Sequence, residues 1–204
     1  MTTTGVPHGT QVVQALLDAE TRPVPAPLRA VGDARPATTG VPRARYTGRA
    51  AHEREVEALW RRVWQMACRE EQIPEVGDSL VYEAPGVSLV VVRSAPGEVR
   101  AFHNSCLHRG TQLRTQPGRV EELRCPFHGF TWNLDGSFAG MPCPWDFPHV
   151  DAGRFGLPEA AVGTWGGFVF VCADPDAGPL ADYLEILPEH FAPWDLAQRY
   201  LTAH

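Results

Sequence analysis

The sequence has no lysine, no excess of positive charge and no apolar run that could cross a bilayer. Its most apolar stretches, 89–92 and 168–171, are far shorter than the ~20 residues that a membrane-spanning helix needs. Met1–Thr4 lacks the basic and apolar regions of a signal peptide. The net charge of −6 argues against the basic surface on which nucleic-acid binding depends. We therefore expect a cytoplasmic protein with neither a membrane nor a nucleic-acid partner.

Cysteines are also few, with five in 204 residues, so a disulfide scaffold is not indicated. The hydrophobic share of 44% and the charged share of 21% are ordinary for a globular chain, which excludes a collagen-like, disordered or coiled-coil protein. In a reducing compartment, cysteines close to histidines are more often metal ligands or nucleophiles than disulfide partners. The positions of the cysteines therefore matter more than their number.

The distribution of proline and of apolar residues divides the chain into three parts. Residues 1–46 hold six of the 19 prolines and predict a mobile arm, with one or two helical turns at 12–17. Residues 47–176 are predicted to form the principal domain, and 177–204 to begin a helical linker. The clearest helix is predicted over 50–67, where apolar side chains recur at helical spacing: Val56, Leu59, Trp60, Val63, Trp64 and Ala67. We interpret its two tryptophans as core rather than as a ligand platform.

Between residues 78 and 172 the pattern changes to short strands separated by turns. A meander is predicted over Val81–Glu83, Val87–Arg93 and Val99–Phe102, because Pro-Gly pairs separate the three runs. Asp135-Gly136 predicts a hairpin turn, and Gly166-Gly167 predicts a bulge or a close backbone approach. Many short strands at regular spacing indicate an antiparallel sandwich or barrel.

Two segments carry the chemistry: Cys106-Leu107-His108 and Cys125-Pro126-Phe127-His128, separated by residues 109–124. Each segment supplies one thiol and one imidazole and has a glycine nearby, Gly110 or Gly129, which permits a tight loop. Four such ligands could hold one tetrahedral zinc ion. Zinc sites, however, tend to place two cysteines on one arm and two histidines on the other. Because each segment here carries one cysteine and one histidine, the pattern instead suits a [2Fe–2S] centre with two Cys and two His ligands.

The runs 106–110 and 125–132 resemble the Rieske domain of Rieske non-haem iron oxygenases, the alpha subunits of aromatic-ring-hydroxylating dioxygenases. The resemblance extends over roughly residues 45–200. It implies a mainly β fold: a Rieske-type antiparallel β-sandwich with a two-loop cluster-binding subdomain, an N-terminal helix and a short C-terminal helical segment. It also implies a [2Fe–2S] cluster with Cys106 and Cys125 on one iron and His108 and His128 on the other.

The same resemblance implies an electron-transfer role. In that family a ferredoxin or flavin reductase supplies electrons, and the Rieske domain passes them to a mononuclear Fe(II) in a C-terminal catalytic domain of a homotrimer. The histidine run of that second iron site is not found: Asp146–His149 imitates only its first half, and His190 has no partner before His204. We therefore expect the N-terminal part of an alpha subunit, or a truncated one. It would be an oxidoreductase component but not a complete catalyst.

Two alternatives stay open, a free-standing Rieske ferredoxin and a zinc-bound structural module. Respiratory Rieske proteins differ from this sequence, since they carry a cysteine pair at the places of Thr111 and Phe127 and a hydroxyl at the place of Phe130. Fewer hydrogen bonds to the cluster sulfurs predict a potential near the low end of the Rieske range. The remaining cysteines, Cys68, Cys143 and Cys172, are predicted to be small buried apolar side chains.

Overall fold

The computed structural model describes residues 8–30 and 40–202. Its ten strands are β1 (Gln65–Arg69), β2 (Asp78–Ala84), β3 (Val87–Ala95), β4 (Glu98–His103), β5 (Gly118–Arg119), β6 (Leu123–Arg124), β7 (Thr131–Trp132), β8 (Phe138–Gly140), β9 (Glu159–Trp165) and β10 (Phe168–Cys172). Its helices are α1 (His8–Ala19), α2 (Ala26–Arg29), α3 (Ala44–Thr47), α4 (Arg49–Glu55), α5 (Leu180–Leu184) and α6 (Leu187–Phe191). Within those residues, none of the helices has the length and hydropathy that a bilayer crossing requires.

The strands form two antiparallel sheets of unequal size. The larger sheet has seven strands in the order β1-β10-β9-β4-β3-β2-β5, and the smaller has the order β6-β7-β8. The smaller sheet and the loops beside it make up the predicted two-loop subdomain. Along the chain, helices precede the first strand and follow the last one. The predicted fold class is therefore confirmed.

Pro-Gly pairs make the two tight turns of the predicted meander, as expected from the sequence. Strand β2 leads into β3 through Pro85-Gly86, and β3 leads into β4 through Pro96-Gly97. Each glycine has a positive φ (+71° and +76°), which is the conformation that the second central residue of a type II turn requires. Gly166-Gly167 forms the tight turn between β9 and β10, with both φ values positive, so the bulge is wrong at this place. The alternative of a close approach agrees with the structure, since a Cβ on Gly167 would lie 2.8 Å from the Arg69 guanidinium.

Strand β3 is buried on both faces, which explains its unbroken apolar run. Val87, Leu89 and Val91 pack into one hydrophobic cluster with residues of β10. Val90 and Val92 point the other way, into a second cluster that lies beneath the loops of the smaller sheet. This strand therefore supports both the main sheet and the subdomain that holds the candidate ligands.

The helix predicted over 50–67 is shorter than expected. Helix α4 continues as a π-helical turn over Val56–Trp60, and Gln65–Arg69 belongs to strand β1. The reason is tertiary: β1 pairs with β10, about a hundred residues later in the chain. Trp64 lies between the two elements and is buried against Cys172, Leu180 and Leu184, as expected for a core side chain. Its indole N–H donates to the carbonyl oxygen of Gly178 at 3.0 Å.

The two ends of the chain were predicted less completely. Helix α1 is longer than the one or two turns expected at 12–17, whereas residues 1–7, 31–39 and 203–204 lie outside the described part. Residues 177–202 pack on the sheet, where Arg69 donates hydrogen bonds to the carbonyl oxygens of Leu196 and Arg199. The division of the chain into three parts stays a prediction.

Gly136 provides a sharp test of the packing in the small sheet. A Cβ at this position would overlap the buried ring of Phe102, and its φ is +82°. Gly97 is a matched control, since its φ is +76° and a Cβ added there would meet no atom within 4 Å. We expect Gly97→Ala to cost about 1–2 kcal/mol of unfolding free energy from the backbone alone. Gly136→Ala should cost about 1–3 kcal/mol more because of the overlap. Equal shifts in thermal denaturation would contradict this account of the packing.

Candidate metal centre

The two loops that carry the candidate ligands have nearly the same backbone. In the first, the Cys106 N–H donates to the carbonyl of Thr111 and the Gly110 N–H donates to the carbonyl of Cys106, both at 2.8 Å. In the second, the Cys125 N–H donates to Phe130 at 2.8 Å and the Gly129 N–H donates to Cys125 at 3.0 Å.

A glycine closes each of these loops at the same relative position. Gly110 and Gly129 have φ values of +74° and +73°, a conformation that other residues resist. The sequence signal of a glycine beside each ligand pair therefore has a local structural cause.

The loops place the four predicted residues beside one another. Cys106 and Cys125 are buried, and Cys125 lies near enough to raise the pKa of the Cys106 thiol. The rings of His108 and His128 lie 4.8 Å apart between centroids, with an interplanar angle of 64°. Each loop thus brings one sulfur to a thiol pair and one imidazole to a histidine pair.

Burial favours the neutral forms of Cys106 and His108 when no metal is bound. Burial raises the pKa of the Cys106 thiol and Cys125 raises it further, although the N–H groups of His108 and Arg109 act in the opposite direction. Burial also lowers the pKa of His108, as do the charges of Arg109 and His128. A neutral imidazole is the form that binds metal, and a thiolate in a buried site needs a compensating cation.

Three buried side-chain nitrogens of the described residues have no hydrogen-bond partner, and one of them lies in this site. The Nδ1 of His108 is buried and has no hydrogen-bond partner among the described residues. A buried polar atom without a partner is costly, and a bound metal would satisfy it. No three His, Cys, Asp or Glu side chains in the described ranges are grouped around one point. A two-iron cluster does not require such a group, because each iron takes only two protein ligands.

Aromatic rings hold the first histidine on its inner side. The His108 ring stacks on Phe130 at 4.8 Å with an angle of 19°, and the ring of Phe147 meets it edge-on at 5.5 Å. Below them, the indole N–H of Trp132 donates to the carbonyl of Phe155 at 2.7 Å, so this donor is already used. The buried Phe130 also offers no hydroxyl donor. Both observations agree with the predicted scarcity of hydrogen bonds to the sulfurs.

Asn104 is a supporting residue that sequence reasoning missed. Its buried side chain accepts hydrogen bonds from the N–H groups of Leu113 and Arg114 and donates to the carbonyl of Arg114 at 2.7 Å. These bonds hold Leu113 and Arg114, which follow the first loop, against Asn104, which precedes Cys106 by two positions. The sequence feature that could have revealed this role is an asparagine at the end of a strand, since its amide readily bonds to backbone groups.

The segment after β8 contributes more to the site than expected. Phe147 contacts His108, and His149 lines a cavity of about 660 Å³ beside that histidine, although no role at the cluster site was predicted for 146–149. Cys143 is exposed, so its predicted burial is wrong, whereas Cys68 and Cys172 are buried as expected. None of the five cysteines forms a disulfide in the structure.

Paired loops that each offer one thiol and one imidazole give a dinuclear iron–sulfur centre the ligands it needs. With the antiparallel sheets beneath them, they define an electron-transfer domain of the Rieske class. Residues 63–151 match the family model for the Rieske [2Fe-2S] domain. The chain carries a Rieske [2Fe–2S] domain and is related over about 70% of its length to the oxygenase subunits of Rieske oxygenases.

Three known proteins illustrate this relationship. The glycine betaine monooxygenase oxygenase subunit of Chromohalobacter salexigens is 36% identical over 70% of this chain and 32% of its own length. The biphenyl 2,3-dioxygenase subunit alpha of Rhodococcus jostii is 33% identical over 68% of this chain and 31% of its own. The apo structure of a quaternary ammonium Rieske monooxygenase superposes with a TM-score of 0.70 at 27% identity, covering 76% of this chain and 45% of that one. The chain thus spans about a third of the length of these curated relatives.

Proposed function

We propose that Cys106 and Cys125 bind one iron of the Rieske cluster and that His108 and His128 bind the other. The observation that carries this assignment is the buried, unpartnered Nδ1 of His108 beside a second histidine and a buried thiol pair. When bound, the cluster supplies reversible one-electron chemistry. The residues of this chain hold it between two rigid loops, and the buried Phe130 and Trp132 exclude water from its inner side.

The assignment supports a role as the electron-transfer portion of an oxygenase subunit. In this role the domain accepts electrons from a ferredoxin or a flavin reductase and delivers them to a mononuclear iron in the catalytic domain of a homotrimer. The relationship to oxygenase subunits such as that of biphenyl 2,3-dioxygenase supports this proposal. Two-histidine, one-carboxylate iron sites have the open positions that oxygen activation needs.

Aromatic-ring hydroxylation is the first candidate reaction for the whole protein, by analogy with the biphenyl and anthranilate dioxygenase relatives. A second candidate is oxidation of a quaternary ammonium compound, which the 36% identity to a glycine betaine monooxygenase subunit favours. Both reactions use the Rieske domain in the same way, so the proposed role of the four ligands is common to the two.

Metal and sulfide analysis tests the proposed cluster. Protein purified without oxygen should contain about two irons and two sulfides per chain, and dithionite should bleach its colour with uptake of one electron. Pulsed EPR of the reduced protein should show coupling to histidine nitrogens. His128→Ala should remove the coupling of one of the two histidines or abolish the cluster, whereas His52→Ala is the matched control, since His52 is exposed on α4 and outside both loops. Stoichiometric zinc without iron would show instead that the chain is a zinc module.

A further inference from the structure

The chain after the last strand stays in contact with the large sheet. A Cβ added to Gly163 of β9 would lie 2.8 Å from the side chain of Leu180, which shows how closely this helix packs on the strand. Further along, the ring of Phe191 meets that of Trp165 edge-on, with 6.0 Å between the ring centroids. The chain is therefore packed on the sheet up to residues 196–201, which we call the strap.

Arg69, at the end of β1, holds the strap by its backbone. Its side chain is 13% exposed and donates hydrogen bonds to the carbonyl oxygens of Leu196, at 3.3 Å, and of Arg199. The same guanidinium donates to the carbonyl of Gly166 at 3.2 Å and lies over the ring of Phe168, 4.6 Å from its centroid. One arginine thus joins strand β1, the β9–β10 turn and the strap.

Glu71 makes a second connection to the strap. Its carboxylate accepts a hydrogen bond from the N–H of Leu201 at 2.7 Å and lies 3.8 Å from the guanidinium of Arg69. In the described part of the chain, the hydrogen bonds between the strap and residues before 194 involve only Arg69 and Glu71. The strap's own regular structure is one 3₁₀ turn over Leu196–Gln198, which is too short to be stable alone.

The glycine pair of the β9–β10 turn leaves room for this arrangement. A Cβ on Gly166 would lie 3.1 Å from the Cβ of Leu196, and a Cβ on Gly167 would lie 2.8 Å from the guanidinium of Arg69. Both separations are shorter than ordinary van der Waals contact. The turn therefore lies in close contact with the strap and with the arginine that holds it.

The end of the strap contributes little to the hydrophobic core. Tyr200 is 74% exposed and Leu201 is 47% exposed, so this part of the strap buries little apolar surface. Arg69 and Glu71 bond to the backbone of the strap and not to its side chains. These bonds therefore determine where the strap lies more than how stable the domain is.

We propose that Arg69, assisted by Glu71, is a positioning residue that clasps the strap to the end of the sheet and so fixes the direction in which the chain continues from the Rieske domain. The proposal rests on the proposed function, in which the domain delivers electrons to a C-terminal catalytic domain. Domains joined by a small interface move relative to each other by default. A clasped strap restricts that motion on the side of the domain that leads to its C-terminal partner.

Trypsin cleavage of the cluster-loaded chain after Arg199 tests the clasp. Trypsin cuts on the carboxyl side of arginine, and the carbonyl of Arg199 is a group that Arg69 holds. Release of the peptide 200–204, measured by mass spectrometry, therefore reports opening of the strap. Arg69→Gln should speed this release about tenfold, because cleavage follows the population of the open form and a hydrogen bond to a charged group is worth about this factor. Arg69→Lys should rescue only part of the effect, since an ammonium lacks the fork that reaches several carbonyls.

Two references separate local opening from a general loss of stability. Cleavage after Arg93, which is buried in β3, reports global unfolding of the same molecules. Arg100→Gln is the matched control, because Arg100 on β4 forms ion pairs with Glu98 and Glu159 and no hydrogen bond with the strap. If Arg69→Gln speeds cleavage at both sites by the same factor, or leaves the release of 200–204 unchanged, the proposal is overturned.

A second pair of variants tests the clasp without changing its arginine, and decides the question if Arg69→Gln does not fold. Gly166→Ala places a methyl group against Leu196, whereas Gly97→Ala introduces similar backbone strain where no atom lies within 4 Å. The two φ values are +60° and +76°. Gly166→Ala should raise the release of 200–204 relative to cleavage after Arg93, and Gly97→Ala should not. The same ratio in both variants would contradict the clasp.

Iron content and reduction by dithionite distinguish failure of the clasp from failure of the proposed function. Both should be the same in all these variants, because none of the substituted residues lies in a ligand loop. A loaded, reducible chain whose strap opens no faster in Arg69→Gln would overturn the clasp and leave the cluster assignment intact. A native chain that binds no iron would refute the proposed function itself.

Discussion

Replacing Cys106 with serine should lower the iron content of the purified chain from about two atoms to near zero, with loss of sulfide and colour. Iron–sulfur clusters are held by thiolates, and a serine hydroxyl remains protonated under the same conditions. Burial disfavours any charged group at this position even more, because it raises the pKa of the native thiol when no metal is bound. Iron and sulfide analysis of protein purified without oxygen measures the effect.

Cys143→Ser is the control for this experiment. Cys143 is exposed and lies outside both loops, so its replacement should leave iron, sulfide and the absorption spectrum unchanged. Circular dichroism of the Cys106→Ser protein establishes whether the sheets still form. Full iron content in the folded Cys106→Ser variant, or loss of iron in Cys143→Ser, would show that the ligands have been assigned wrongly.

The second large effect is expected at Trp132, which is fully buried beneath the loops. Trp132→Ala should lower the free energy of unfolding by about 3–5 kcal/mol, because it leaves a large cavity among Phe130, Phe138 and Phe155. For a chain of this size the melting temperature should fall by roughly 10 °C. Thermal denaturation of the cluster-loaded protein, followed by circular dichroism, measures this shift.

Two further variants separate packing from hydrogen bonding at this position. Trp132→Phe keeps most of the apolar volume but leaves the Phe155 carbonyl without its 2.7 Å partner, which should cost about 1–3 kcal/mol. Trp145→Ala removes an exposed indole and should change stability by no more than about 0.5 kcal/mol. A Trp132→Ala protein as stable as Trp145→Ala would mean that the aromatic layer does not support the loops.

Local sequence determined much of the fold and the candidate ligands. The meander follows from Pro-Gly pairs that fix a turn within four residues, and the ligand pairs follow from short motifs with a glycine at a fixed offset. Such features depend on neighbours in sequence, so a single chain reveals them. The same holds for the apolar run of β3, whose composition reflects burial on two faces.

Contacts between distant residues decided what the sequence could not. The apolar stripe over 50–67 satisfies a helical period, yet 65–69 becomes a strand because hydrogen bonds to β10 are available there. Cys143 is of a residue type common in cores, but two prolines and a left-handed backbone turn it toward solvent. The unpartnered Nδ1 of His108, the rings that hold this histidine and the exposure of Trp145 arise only when residues from 106 to 155 fold together. Local sequence sets which candidate ligand atoms the chain carries, and tertiary packing decides which of them are shielded from water, hydrogen-bonded or exposed.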